Sequence, residues 1–374
     1  MSSNRIDLSF ETVKQALKEG KSMRGAARLL KVDRAVVERV LRDQKIAEMP
    51  GSTQPARDQR DRARAEAHRK ELEKKLLERE DAESIFTHLH HVPEIRVAPR
   101  KAGAKRIATP VTFASDWHFG ETVTLEETMG LNEYNLAIAR ARAAKFWDNV
   151  MWLRGDMQRT TTCHDHVLWL GGDLISGNIH PELVETNEAG LVEQISQVAA
   201  AIRPGIDALA KDARKLIVAC SSGNHGRITA KSQIKTGWAN SLETLLYRFL
   251  RDSCKHSNIE WHIPRAENLR LKIHGYTIQL QHGTQVRSQG GIGGILVPLT
   301  RFAARSDSAG AADYYGFGHF HQAHWFDKII VNGSLIGDSA YSRANGMSFR
   351  APEQVNFQID ERRGLRRFEP VSVT

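Results

Sequence analysis

The sequence predicts an α/β domain of layered architecture, preceded by a small all-α N-terminal unit and a charged helical spacer. Short apolar, β-branched runs alternate with helical stretches from residue 107 onward. Three short helix patterns, each with a cap or a stop, fill residues 9–43, and Arg, Lys, Glu and Ala crowd the segment that follows. A chain of 374 residues accommodates one domain of about 250 residues plus a smaller attachment, so two folded units are expected.

In chain order, the first helix spans about 9–19 and stops at Gly20. The second covers about 23–30 behind the cap Ser22, and the third about 33–43 behind Asp33. From Ala26 to Leu41, small and apolar residues stand where two helices must cross closely, and in this the segment resembles a helix-turn-helix module. The resemblance implies a DNA-binding domain over 1–48 whose second paired helix enters the major groove, with Arg34, Glu38, Arg39 and Arg42 on or near the DNA side. Lys31 departs from it, standing where the turn commonly has glycine. A three-helix bundle that binds protein, or nothing, fits the same residues. Such modules often work as dimers, which allows a homodimer, but no residue here marks a dimer interface.

Residues 49–106 form the connection. Pro50, Gly51, Ser52 and Pro55 mark a polar linker, and 61–80 has helical propensity. Leu72, Leu76 and Leu77 are too few for a heptad seam, so a solvated helical spacer is expected rather than a coiled coil. A basic stretch, 100–106, leads into the next domain.

Charge is placed unevenly. Residues 1–106 hold 25 Lys+Arg against 17 Asp+Glu, and 107–374 hold 28 against 27, so nearly all the basic excess is N-terminal. A nucleic-acid-binding appendage on a near-neutral enzyme has that distribution, because each cation can neutralise a phosphate and release a counterion. Cys163, Cys220 and Cys254 have no paired spacing, which argues against a disulfide framework or a thiolate zinc site and fits a reducing cytoplasm. No apolar run approaches the roughly 18 residues of a membrane span, so no membrane association is expected.

In the domain at 107–374, strand-like runs at 111–114, 166–170, 216–220, 277–281, 312–317 and 328–332 alternate with helices near 133–150, 189–210, 237–252 and 296–305. Short motifs follow the strands: Asp116-Trp117-His118, Gly171-Gly172-Asp173, Gly223-Asn224-His225, His282-Gly283 and Gly318-His319-Phe320-His321. Residues placed just past the carboxyl ends of strands converge on one crevice in open α/β sheets, however distant in sequence. An aspartate and a histidine two apart on an extended segment project to one side, and so do His319 and His321. Carboxylate, imidazole and amide oxygen without thiolate suit Mn²⁺, with Fe, Zn or Mg as alternatives. Arg227 and Arg287, just beyond two of these motifs, are candidates to meet a substrate phosphate. The run 289–294 lacks the spacing of a nucleotide-binding loop and reads as a pocket-rim loop.

These five blocks, in this order, resemble the calcineurin-like metallophosphoesterase superfamily over about 107–337. The resemblance implies a layered β-sandwich flanked by helices and two divalent metal ions. The first would be held by Asp116, His118, Asp173 and His321, the second by Asp173, Asn224, His282 and His319, with Asp173 bridging. It further implies hydrolysis by a metal-bridging hydroxide, with His225 as the catalytic residue that is not a ligand.

With a DNA-binding module attached, cleavage of DNA phosphodiester bonds is the expected activity. One departure is Ser176, where the repair-nuclease branch typically has a histidine three residues after the bridging aspartate. The alternative is a phosphatase or small-nucleotide phosphodiesterase targeted by its N-terminal module; a DNA-binding regulator with a structural metal site is the third reading, which the full set including His225 disfavours. The architecture is similar to that of bacterial or phage-borne proteins, which places the expected site of action in the cytoplasm of a bacterial or phage-infected cell.

Overall fold

A computed structural model describes residues 9–20, 22–47, 66–71, 73–74, 105–287, 294–308, 310–344, 346 and 348–374. The chain divides into two compact units, Met1–Lys101 and Ala102–Thr374.

In the first unit, helices Phe10–Gly20, Met23–Leu29 and Arg34–Ala47 enclose a core of Val13, Ala16, Ala26, Ala27 and Val37. The caps are those expected: Ser22 Oγ accepts from Gly25 N at 3.0 Å, and Asp33 Oδ1 from Ala35 N at 2.9 Å. Lys31 takes the left-handed conformation, φ 55°, that glycine more easily supplies at such a turn. Arg34, Arg39 and Arg42 are exposed on the third helix, and Arg34 pairs with Glu38 at 2.8 Å. The described part of the spacer is helical and exposed, with i,i+4 pairs Arg69–Glu73 and Lys70–Glu66. The polar linker at 49–60 and most of the basic stretch before 105 lie outside the described residues.

The second unit stacks two sheets. Strands β1 (Arg106–Ala114), β2 (Thr161–Thr162), β3 (Asp165–Leu170), β4 (Lys215–Cys220) and β5 (Ile259–His262) run parallel. Strands β6 (Asn268–Ile273), β7 (Tyr276–Gln281), β8 (Tyr314–Phe317), β9 (His324–Phe326) and β10 (Ile329–Val331) form the second sheet in the order β6-β7-β8-β10-β9. The chain then returns to the first sheet as the antiparallel hairpin β11 (Glu353–Asp360) and β12 (Gly364–Ser372), giving the order β12-β11-β1-β3-β4-β5 with β2 beside β1.

Strand periodicity sets the layers. Val111, Phe113, Val167, Trp169 and Ala219 face Leu271, Ile278, Leu280 and Ile330 across the space between the sheets. Alternate residues, Ala114, Leu168, Leu170, Leu216 and Val218, face helices Leu136–Thr160, Leu191–Asp212 and Leu242–Ser253. The second sheet turns Tyr315, Phe317, Ile329 and Val331 toward helix Leu296–Asp307. The result is mixed α/β with helices outside two face-to-face sheets, as expected.

Three differences from expectation have physical causes. The helix expected near 133–150 runs to Thr160, since Arg154 turns inward to Asp212 and His166. Strand β11 was not expected, because its polar residues are as buried as its apolar ones. Asn356 accepts from Thr112 Oγ1 at 2.7 Å, Gln354 from Ser115 N at 2.9 Å, and Gln358 from Thr161 Oγ1 at 3.3 Å. The helix expected at 237–252 is a 3-10 turn, Gly237–Asn240, followed by a separate helix capped by Ser241.

Candidate metal centre

The five motifs follow β1, β3, β4, β7 and β8, and all those strand ends point the same way within their sheets. Backbone bonds stitch the loops together. Asp116 N donates to Gly172 O, His118 N to Asp173 O and Gly318 N to His282 O, at 2.9, 3.0 and 2.8 Å.

Seven of the expected residues converge in three donor groups: Asp116, His118 and His321; His118, Asp173 and His225; and Asp173, His282 and His319, each with donor atoms within 4.8 Å of one another. Asp173 and His118 each belong to two groups. The i,i+2 spacing works differently from the extended segment expected. Asp116, His118, Asp173, His319 and His321 have φ of 57°, 50°, 48°, 68° and 55°, so tight left-handed turns aim them. Non-glycine residues pay strain there, and such strain persists where surrounding structure overdetermines it.

That surrounding structure is explicit. Asp116 Oδ1 accepts from His319 N at 2.9 Å, and Oδ2 from Ser115 Oγ, which Asn332 holds at 2.8 Å. Trp117, fully buried, gives its carbonyl to Tyr134 and its indole N–H to Gln354. Asp173 Oδ1 accepts from His225 N at 2.7 Å. A Cβ on Gly223 would stand 2.0 Å from that oxygen, so only glycine lets the two loops approach.

The donor chemistry fits cations. His282 Nδ1 donates to Gly171 O at 2.8 Å, which leaves Nε2 as the bare nitrogen of the neutral ring. That nitrogen lies 2.9 Å from Asp173 Oδ2, is buried and has no aligned hydrogen-bond partner. Two lone pairs at that distance require a proton or a metal ion between them. His118 Nε2 and His321 Nε2 lie within hydrogen-bond distance of each other, at 3.3 Å.

Without cations, the carboxylates impose large shifts. Burial alone would lower the His118 pKa, but Glu121 and then Asp173 and Asp116 lift it to about 9. Burial works against His282 likewise, and Asp173 lifts it to about 10. For Asp173 burial pushes upward, yet His282 and His225 hold it well below the usual carboxylate range. Burial pushes His225 and His319 down to about 4, so both are neutral donors near pH 7.

Asn224 stands between Gly223 and His225, its side-chain oxygen accepting from Thr284 Oγ1 at 3.0 Å. His225 Nδ1 donates to Ser176 O at 2.7 Å, leaving Nε2 for chemistry. Ser176 thus orients His225 through its carbonyl. Arg227 donates to Asn224 O at 2.9 Å and to Thr229 O, bracing the loop, and Arg287 is exposed. Residues 288–293, most of the glycine-rich run, lie outside the described residues. His180 caps a short exposed helix, and His324 lies on β9 near Gln322.

Two acids were not singled out from sequence. Glu121 Oε2 lies 3.1 Å from His118 Nδ1, an ion pair rather than an aligned hydrogen bond. Glu243, fully buried, accepts from Leu174 N at 2.7 Å and Gly223 N at 2.6 Å, tying together the loops of Asp173 and Asn224. Glu121 was visible as the acid three residues past His118, whereas Glu243 belongs to a helix that no motif marks.

No family model and no curated protein matches the chain. Solved structures similar to it include a predicted phosphoesterase from Streptococcus pneumoniae TIGR4, at 12% identity over 69% of this chain and 86% of that chain, TM-score 0.27. Wild-type Vps29 complexed with zinc, from Entamoeba histolytica, is 14% identical over 71% and 99%, TM-score 0.28. The sulfate thiohydrolase SoxB from Thermus thermophilus is 10% identical over 75% and 58%, TM-score 0.30. With TM-scores this low, the reading of the site rests on its own donor geometry.

Proposed function

We propose that this chain is a calcineurin-like metallophosphoesterase that binds two divalent metal ions and hydrolyses DNA phosphodiester bonds. The observation that carries the reading is that Asp173 belongs to two donor groups, one with His118 and His225 and one with His282 and His319. One ion is held by Asp116, His118, Asp173 and His321, the other by Asp173, Asn224, His282 and His319. Mn²⁺ suits donors that include no thiolate; Cys220, at the end of β4, is buried and held protonated by burial. Such ions supply Lewis acidity toward phosphate oxygens and activation of water.

The chain's own residues do the rest. His225, with Nδ1 fixed by Ser176 O, presents Nε2 beside the donors, where it contacts the reacting phosphate. Asp116 and Asp173 are held by backbone N–H groups and need no rearrangement to receive cations. The N-terminal unit is a helix-turn-helix domain that binds DNA through Arg34, Arg39 and Arg42, with Glu38 orienting Arg34, and raises the DNA concentration near the site.

The test is cleavage in Mn²⁺ of linear and circular DNA, single- and double-stranded, beside small phosphodiesters and phosphomonoesters and an Asp173→Ala control. DNA cleavage abolished in the control supports the nuclease reading. Hydrolysis of small esters with DNA intact replaces it by a targeted phosphatase or nucleotide phosphodiesterase.

A further inference from the structure

Between His225 and the helix Leu242–Ser253 the chain makes an excursion, 226–241, whose base is closed by pairing of Arg227 with Ser241 and by Ile228 N donating to Asn240 O at 2.9 Å. Its interior is hydrogen-bonded. Thr229 Oγ1 donates to Lys231 O, and Gln233 Oε1 accepts from Thr236 Oγ1 and Asn240 Nδ2. Its base is fixed to the metal centre, since Arg227 donates to Asn224 O at 2.9 Å.

The excursion carries Arg227, Lys231 and Lys235 and no Asp or Glu. Arg248 and Arg265 join it from neighbouring segments, with guanidinium carbons 5.9 and 5.0 Å from the centroid of Trp238. Trp238 lines a small cavity together with Ser222, directly before Gly223, and with Glu267, so the cluster borders the ligand loop and has one acid at its inner edge. Lys231, Lys235, Arg248 and Arg265 are exposed, and none of them forms an ion pair among the described residues. Two guanidiniums on one indole repel each other, and an anion beside them relieves that repulsion. Ile228 and Ile234, 62% and 72% exposed, add apolar surface to the same excursion.

We propose that this surface tracks the phosphate backbone of a DNA strand and delivers it to the metal centre. The inference rests on the nuclease reading and specifies where substrate lies: phosphates against Lys231, Lys235 and the Arg248–Trp238–Arg265 stack, sugar and base faces against the isoleucines. Cations beside an aromatic are the usual equipment for holding a nucleic-acid strand.

The experiment is anisotropy of a labelled single-stranded oligonucleotide with the full chain in EDTA, which keeps the strand intact, over a salt series. The Lys231→Ala/Lys235→Ala/Arg265→Ala variant loses three phosphate contacts, so the slope of log affinity against log salt becomes shallower by about 2. That difference adds to whatever the N-terminal unit contributes. The single reversal Lys235→Glu, at an exposed position, repeats the test with less risk to folding and is expected to weaken binding. In Mn²⁺, cleavage kcat/KM is expected to fall in parallel. DNA cleaved and bound by the variants as by the wild type, with the same slope, overturns the inference and leaves the nuclease reading standing. A wild type that hydrolyses a small ester but neither binds nor cleaves DNA overturns both.

Discussion

Glu243→Ala removes the buried carboxylate that joins the loop of Asp173 to that of Asn224. Leu174 N and Gly223 N, now 2.7 and 2.6 Å from its oxygens, lose their acceptors. An orphaned buried N–H costs about 1–3 kcal/mol, and Gly223 is only half-buried, so the expected destabilisation is about 2–4 kcal/mol. Glu243→Gln keeps one acceptor oxygen and is expected to lose about half of that. Burial, with help from Asp173, pushes the Glu243 carboxyl up to about 7, above its ordinary 4.5. The sign follows from linkage: protonation favours the folded chain, so the stabilisation is complete below about 4.5 and is lost as pH rises through about 7. Wild-type stability relative to Glu243→Gln should therefore fall from about pH 5 to about pH 8. Urea denaturation of metal-free protein, followed by circular dichroism, measures both effects. A loss below about 1 kcal/mol for Glu243→Ala, with no pH-dependent difference for Glu243→Gln, refutes the clamp. Gly226→Ala tests the same packing from the other side, because the added Cβ would lie 2.6 Å from Glu243 Cγ.

Further expectations concern the metals. Glu121→Gln removes the charge that faces His118 Nδ1 and should weaken metal affinity about 10–100-fold by calorimetry, while the fold melts as before. His225→Ala should lower kcat about 10²–10⁴-fold with both ions retained; loss of an ion from that variant identifies His225 as a ligand instead. Chelation should destabilise the chain, and restoring metal at about 100 times its Kd should return roughly 2.7 kcal/mol per site in denaturant titrations.

The convergence of the candidate donor residues was legible because each motif follows a strand whose apolar run marks its end. Asp116, Asp173, Asn224, His282 and His319 all lie just past such runs. The reason first given for the Asp116/His118 spacing did not hold, since left-handed turns rather than extended backbone set both side chains. Glu243 was illegible because its partners are backbone N–H groups, which leave no pattern in sequence. The hairpin β11–β12 was hidden because Gln354, Asn356 and Gln358 interrupt the apolar pattern of a core strand, yet they fill a buried hydrogen-bond network beside β1. The cationic cluster around Trp238 combines residues from three separate segments, so only the folded chain assembles it.

If Asp173 bridges two metal ions, the number of ions bound per chain and the coupling between them reveal it. Mn²⁺ titrated into metal-free protein and followed by electron paramagnetic resonance should show two ions per chain with spin coupling between them. Asp173→Ala should abolish the coupling and weaken both sites. A single uncoupled ion per chain, held equally well by wild type and Asp173→Ala, would mean that Asp173 bridges no metal pair.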